Sequence, residues 1–168
     1  MVYVAFVIDV FARKIVGRRV STSMTTGFVL DALNQAIHCQ QAIAKQSAER
    51  GQRAPSEADG LIHHSDRGSQ YLSIKYTERL ADAGIDPSVG SVGDSYDNAL
   101  AESIIGLFKT EVINFLGPWK SLSQIEWETL KWVGWYTTER LHSAIGYLTP
   151  QEAEEAFYAN MNVLDKVA

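Results

Sequence analysis

Two short runs rich in β-branched residues, 2–9 (VYVAFVID) and 14–20 (KIVGRRV), are separated by only Val10-Phe11-Ala12-Arg13. A connection that short lets the second run only fold back beside the first, so the spacing predicts an antiparallel hairpin. Asp9 stands where its first strand ends. Beyond the hairpin the period changes: Val29, Leu33, Ala36 and Ile37 recur at helical spacing, predicting an amphipathic helix from Thr25 to about Lys45. The polar stretch 46–60 (QSAERGQRAPSEADG) reads as a surface loop. Residues 61–65 (LIHHS) form a strand candidate leading to Asp66, followed by a helix over 70–83 with Gly84 as its stop. A short strand over 85–89 and a glycine-rich loop over 88–95 come next. A third helix is expected from Asp97 to Phe115, with Leu100, Ile104, Leu107 and Phe108 along one face. A fourth, rich in tryptophan, spans 121–138, and Thr149-Pro150 introduces a last helix over 151–160. There is no internal repeat. Hairpin, helix, strand–helix–strand and then helices predict an α/β sandwich with a mixed sheet.

The chain has 168 residues, 46% hydrophobic and 21% charged, the balance of an ordinary globular domain with a sizeable core. No apolar run approaches the roughly 20 residues that cross a bilayer, and the start, MVYVAFVIDV, has no basic leader. No membrane partner is expected, and the cytoplasm is the default compartment. A single cysteine, Cys39, excludes an internal disulfide, and histidines at 38, 63, 64 and 142 lack zinc spacing. The net charge of −5 argues against a chain that binds nucleic acid by charge alone.

Asp66 and Glu102 are the acids with the most informative surroundings. Asp66 closes a strand, where a carboxylate is held rigidly, and the expected helix places Glu102 in about its first turn, away from the Leu100/Ile104/Leu107 face. Oxygen donors on rigid elements suit Mg²⁺. Paired metals about 3.5–4 Å apart serve phosphoryl transfer, and such a site normally takes a third carboxylate.

The local words are more specific. His63-His64-Ser65-Asp66-Arg67-Gly68-Ser69-Gln70-Tyr71 resembles the second-acid motif of insertion-sequence transposases of the DDE class, H-S-D-x-G-x-Q-Y. Asp94-Ser95-Tyr96-Asp97-Asn98-Ala99-Leu100-Ala101-Glu102-Ser103 resembles their third-acid motif, Y-D-N-A-x-A-E-S. Residues 67 to 101 lie between the acids, 35 in all, the spacing of the retroviral-integrase-like subgroup. Phe108-Lys109-Thr110-Glu111 matches the F/L-K-T-E continuation. Arg140-Leu141-His142-Ser143-Ala144-Ile145-Gly146-Tyr147-Leu148-Thr149-Pro150 matches the word R-x-H-S-x-x-G-Y-x-T-P, although Thr137 stands where Asn is common just ahead of it. Val7 to Gly17 resembles the hairpin word I-D-x-F-S-R-K-I-V-G.

The resemblance implies an RNase H-like fold, the integrase catalytic core, over residues 1–150, with 151–168 a C-terminal helix and tail. It implies Mg²⁺-dependent DNA strand transfer, with Mn²⁺ as a substitute. Asp66 and Glu102 would be catalytic metal ligands, and Lys109, Asn98 and His64 would contact DNA. The partners implied are transposon-end and target DNA, and further copies of the chain or a full-length transposase. In this family the first catalytic Asp lies in a strand ahead of the hairpin, so the first strand and first acid are expected to be absent here. Unpaired strand edges and an inactive chain follow as expectations. Alternatives are a non-enzymatic module that binds or inhibits full-length transposase, and a general metal-dependent nuclease.

Other readings stay open. Asp9 matches the hairpin-turn aspartate, whose side chain caps the turn, and is not a substitute for the first acid. His64-Ser65-Asp66 has the residue types of a hydrolase triad, but strand neighbours point to opposite faces and cannot converge. Lys109 is a solvated lysine if it is not a DNA contact, and His63 and His64 either flank the site or pack and face solvent. Trp119, Trp127, Trp132 and Trp135 suit core or subunit packing more than base stacking. His142-Ser143 suits either a DNA or loop contact or a turn-stabilising hydrogen bond.

Overall fold

The computed structural model describes residues 1–52, 61–65, 74–89 and 94–167. The expected hairpin forms from β1 (Tyr3–Ile8) and β2 (Ile15–Ser21), paired antiparallel from Tyr3↔Ser21 to Ile8↔Ile15. Its register shifts between Val7 and Ile8, so Val7 faces Gly17 while Ile8 faces Ile15. Residues two apart in a regular strand share a face, and the extra residue of a bulge breaks that rule. Ile15 therefore joins one face of the hairpin and Gly17 the other.

Each face acquires its own core. Tyr3, Ala5 and Val7 pack against Phe28, Val29, Ala32 and Leu33 of α1 (Thr26–Glu49), joined by Tyr76 and Leu80 of α2 (Ile74–Asp82). Val4, Phe6, Ile8 and Ile15 pack against Ile104 and Phe108 of α3 (Asp94–Phe108) and against Trp132, Val133 and Tyr136 of α4 (Leu122–Thr138). The hairpin is thus the middle of three layers. β3 (Ile62–Ser65) and β4 (Asp86–Val89) pair in parallel with α2 as their crossover, as parallel strands require. Both pairing types of the expected mixed sheet occur, but among the described residues they make two separate two-stranded sheets. There β1 has only β2 as a ladder partner and β3 only β4.

Helix ends follow the local chemistry, and three lie away from where the sequence pattern put them. The Thr25 hydroxyl accepts from the Phe28 N–H at 3.3 Å and starts α1 as expected. α1 continues to Glu49, through residues assigned above to a loop, because Gln46, Ala48 and Glu49 favour helix and no breaker precedes Gly51. At φ +66° Gly51 donates to Ala48 O and Gln52 donates to Ser47 O, a Schellman closure. The same closure ends α2 at the expected Gly84, with Gly84 donating to Ala81 O and Ile85 to Leu80 O. α3 begins at Asp94 rather than Asp97, taking in residues read above as loop. Acidic residues are favoured at a helix N-terminus. After Phe108 the helix widens into a π segment, Lys109–Asn114.

The last helix, α5 (Pro150–Val167), runs seven residues beyond the expected end at Asn160. Its start is a capping box: the Glu152 N–H donates to Thr149 Oγ1 at 3.2 Å, and the Thr149 N–H donates to Glu152 Oε2 at 2.8 Å. Pro150 takes the first helical position, where no N–H is needed. α5 packs onto the hairpin turn through Lys14–Glu154 at 3.0 Å and the Phe11 and Phe157 rings, 4.9 Å apart.

Gly17 marks a close approach between the hairpin and α1. A Cβ built there would lie 2.1 Å from the backbone oxygen of Ala32 in α1. Neither backbone can yield cheaply, so Gly17→Ala should cost about 2–3 kcal/mol, at the upper end of ordinary overpacking. A urea midpoint unchanged by this substitution would show that the α1–hairpin contact is looser than described.

Candidate active site

The parallel pair fixes where the acids fall along the chain. Asp66 directly follows Ser65, the last residue of β3, and α3 begins five positions after Val89, the last residue of β4. Both acids therefore follow the carboxyl ends of parallel strands, where open α/β sheets carry their ligand sites. Asp66 itself lies outside the described residues.

Glu102 is exposed on α3, opposite the buried Ile104 and Phe108. It is the ninth residue of that helix and not part of its first turn, because α3 starts at Asp94. Lys109 is also exposed and is the first residue of the π segment. Seven residues of α-helix bring it within about 20° of Glu102 around the axis and roughly 10 Å along it. Asn98 lies in α3, with its side chain outside what is described. Among the described residues no group of three or more His, Cys, Asp or Glu forms a metal-binding cluster.

The strand ahead of Asp66 is pinned from one side. His63 is half-buried, with Nε2 2.7 Å from the hydroxyl of buried Tyr76 in α2. Burial, with a smaller contribution from the charge of His64, lowers the His63 pKa from 6.5 to about 4. The ring is then neutral near pH 7, and with the proton on Nδ1 its Nε2 accepts from Tyr76. His64, next along the strand, points the other way and is exposed. Of the two histidines, His63 packs and His64 is the one on the surface.

Asp9 caps the hairpin turn as expected: its Oδ1 accepts from the Phe11 N–H at 3.0 Å, and its own N–H donates to Lys14 O at 2.8 Å. The tryptophans divide. Trp132 is buried between Phe6, Phe108 and Tyr136, and Trp119 donates from Nε1 to the Ile113 carbonyl at 3.1 Å. Trp127 and Trp135 are 60% and 40% exposed. At His142 the turn is held by backbone bonds, His142 N–H to Leu148 O and Tyr147 N–H to His142 O, while the ring packs edge-on to Tyr136.

Sequence reading missed one network. The Glu111 carboxylate accepts from Arg140 Nη1 at 2.6 and 2.9 Å and from the Trp132 indole N–H at 2.7 Å. Burial would raise the Glu111 pKa, but the hydrogen bonds from Arg140 and Trp132 and the Arg140 charge hold it below the usual range. Both Glu111 and Arg140 stood in recognisable words, yet nothing in either word shows that they meet.

Two family models described as Integrase core domain match the chain, one over residues 1–95 and one over 83–150. A Mycobacterium tuberculosis protein of insertion sequence element IS986/IS6110 is 50% identical over 157 residues, 94% of this chain and 53% of that protein. The transposase for insertion sequence element IS629 of Shigella sonnei is 52% identical over 167 residues, 99% of this chain and 51% of that one. The chain spans about half the length of these curated relatives. Among solved structures, the HTLV-2 integrase catalytic core domain in complex with magnesium, in its trimeric form, superposes with a TM-score of 0.58 at 16% identity. The match covers 87% of this chain and 80% of that one. The fold is therefore RNase H-like, as the sequence words imply. No helix among the described residues is long and apolar enough to cross a membrane.

The burial of His63 makes stability depend on pH. The folded pKa, about 4, lies below the ordinary 6.5, so the fold favours the neutral ring. The contribution is whole above pH 6.5 and is lost as pH falls toward 4, at most about 3 kcal/mol. Urea midpoints measured from pH 7 to 4 should fall less steeply for His63→Gln than for the unsubstituted chain. Parallel curves would remove His63 as the cause.

Proposed function

The chain belongs to the integrase core domain family, and from that premise we propose that it carries acids with which an insertion-sequence transposase performs metal-dependent DNA strand transfer. The observation that carries this reading is the placement of the two acid words. Asp66 directly follows one strand of a parallel pair, and Glu102 lies on the exposed face of the helix that follows the other.

Asp66 and Glu102 are the proposed metal ligands. Hard oxygen donors of this kind fit Mg²⁺, with Mn²⁺ as a substitute, better than a soft or nitrogen-preferring ion. Bound there, paired ions would supply charge stabilisation to the attacking and leaving oxygens of a phosphoryl transfer. The chain's own residues divide the remaining work. Glu102 stands clear of the core on a rigid helix, and β3, pinned through His63, leads into Asp66. Lys109, on the Glu102 face, is proposed to contact a DNA phosphate, with Asn98 and His64 as further contacts. The substrates proposed are transposon-end and target DNA, and the partners further copies of the chain or an intact transposase.

A third carboxylate completes such a site, and the resemblance places it in a strand ahead of the hairpin. The 168 residues alone are therefore expected to bind a divalent ion weakly and not to join strands. Calorimetric titration with Mn²⁺ should detect weak binding that Asp66→Asn and Glu102→Gln each abolish, and a strand-transfer assay on transposon-end DNA should yield no joined product. Binding untouched by both substitutions would remove the two acids as ligands. Robust joining would overturn the claim of inactivity, and cleavage without end specificity would favour a general nuclease.

A further inference from the structure

Two words, F-K-T-E at 108–111 and R-L-H-S at 140–143, meet through one carboxylate, with Glu111 and Arg140 29 positions apart. Glu111 lies inside the π segment, two residues after Lys109. Its oxygens are shared between the Arg140 guanidinium, two residues beyond the end of α4, and the indole of buried Trp132, in the middle of α4. Arg140 is itself steadied, its guanidinium carbon 5.4 Å from the centroid of the Trp135 ring. Two other contacts hold the segment: Val112 is buried in the aromatic core, and Trp119 donates to the Ile113 carbonyl. π turns are rare and marginal in isolation, so side-chain tethers decide whether one persists.

We infer that Glu111 is a positioning residue: by holding Arg140 and Trp132 it fixes the π segment and thereby sets where the Lys109 ammonium stands against a DNA phosphate. The inference rests on the proposed DNA contact of Lys109. It assigns the carboxylate of F-K-T-E to holding the lysine of the same word, with no contact of its own to substrate. The ion pair is part-buried, Arg140 at 23% and Glu111 at 32% side-chain exposure, so solvent does not fully screen it. Glu111→Gln keeps the size of the side chain and an acceptor for Trp132, and removes the charge that Arg140 meets.

The test is a double-mutant cycle in the full chain, read by fluorescence anisotropy of a labelled 30-base-pair duplex at low salt. Lys109→Ala and Glu111→Gln should each weaken binding, by about three- to tenfold, within the range that coupled neighbouring side chains produce. In the Lys109→Ala background, Glu111→Gln should cause no further loss. Hydrogen exchange supplies a second measurement: Glu111→Gln should speed exchange at residues 109–114 and leave α1 unchanged. Arg140→Gln should reproduce both effects from the other side of the pair, which covers a Glu111 variant that folds poorly. Equal loss in both backgrounds, or unchanged protection over 109–114, would overturn the inference while leaving Lys109 as a DNA contact. Binding unaffected by Lys109→Ala, or no binding by the unsubstituted chain, would overturn the Lys109 reading and this inference together.

Discussion

The one-residue bulge at Val16, opposite Val7 and Ile8, sets the plan of the molecule. It turns Ile15 toward the α3/α4 layer and Gly17 toward α1, so a single hairpin serves two cores. The α3 side is aromatic. Phe6 meets Phe108 edge-on at 5.2 Å and stacks on Trp132 at 6.2 Å, and Phe108 meets Trp132 at 5.3 Å. Such ring pairs add about 0.5–1.5 kcal/mol each beyond area burial, and their preferred angles fix orientation as well as contact. The α1 side depends on close backbone approach, which only a residue without a Cβ allows.

The two acids are carried by different cores. Glu102 rides on α3, seated by Ile104 and Phe108 in the aromatic cluster. Asp66 follows β3, and β3 is tied through His63 to Tyr76, a member of the α1 cluster. The hairpin contributes to both clusters, so its thickness and bulge help set the separation between the elements that carry the acids. Hairpin residues are in this sense part of the geometry of the proposed site.

How much of this was legible in the sequence depended on the range of each interaction. The hairpin, the start of α1 at Thr25 and the Gly84 stop were readable because each is decided within a few residues. The far ends of α1 and α5 were not. A polar composition over 46–49 looks like loop, yet those residues suit helix and nothing stops it before Gly51. The proposed site rests on words: Asp66 and Glu102 stand out by their neighbours and their spacing, not by periodicity. Glu102 was still placed too near a helix start, because the glycine-rich stretch ahead of it hid the beginning of α3 at Asp94. Glu111 and Arg140 could not be paired from sequence. Their contact depends on how α4 packs against the π segment, which no local pattern encodes.

An acidic chain that is proposed to bind DNA poses an electrostatic question, with 20 Asp and Glu against 15 Lys and Arg. Net charge acts over the whole surface, whereas a phosphate contact is felt within about 8–10 Å, the Debye length at physiological salt. What matters is the field around Lys109. Glu111, two residues away, would offset that lysine if its charge were unmatched, but Arg140 neutralises it at 2.6 Å. Glu102 lies roughly 10 Å along the axis, near the limit of unscreened influence, and a bound cation would compensate its charge further. The same carboxylate–guanidinium pair that steadies the π segment thus also leaves the Lys109 charge available to an anion.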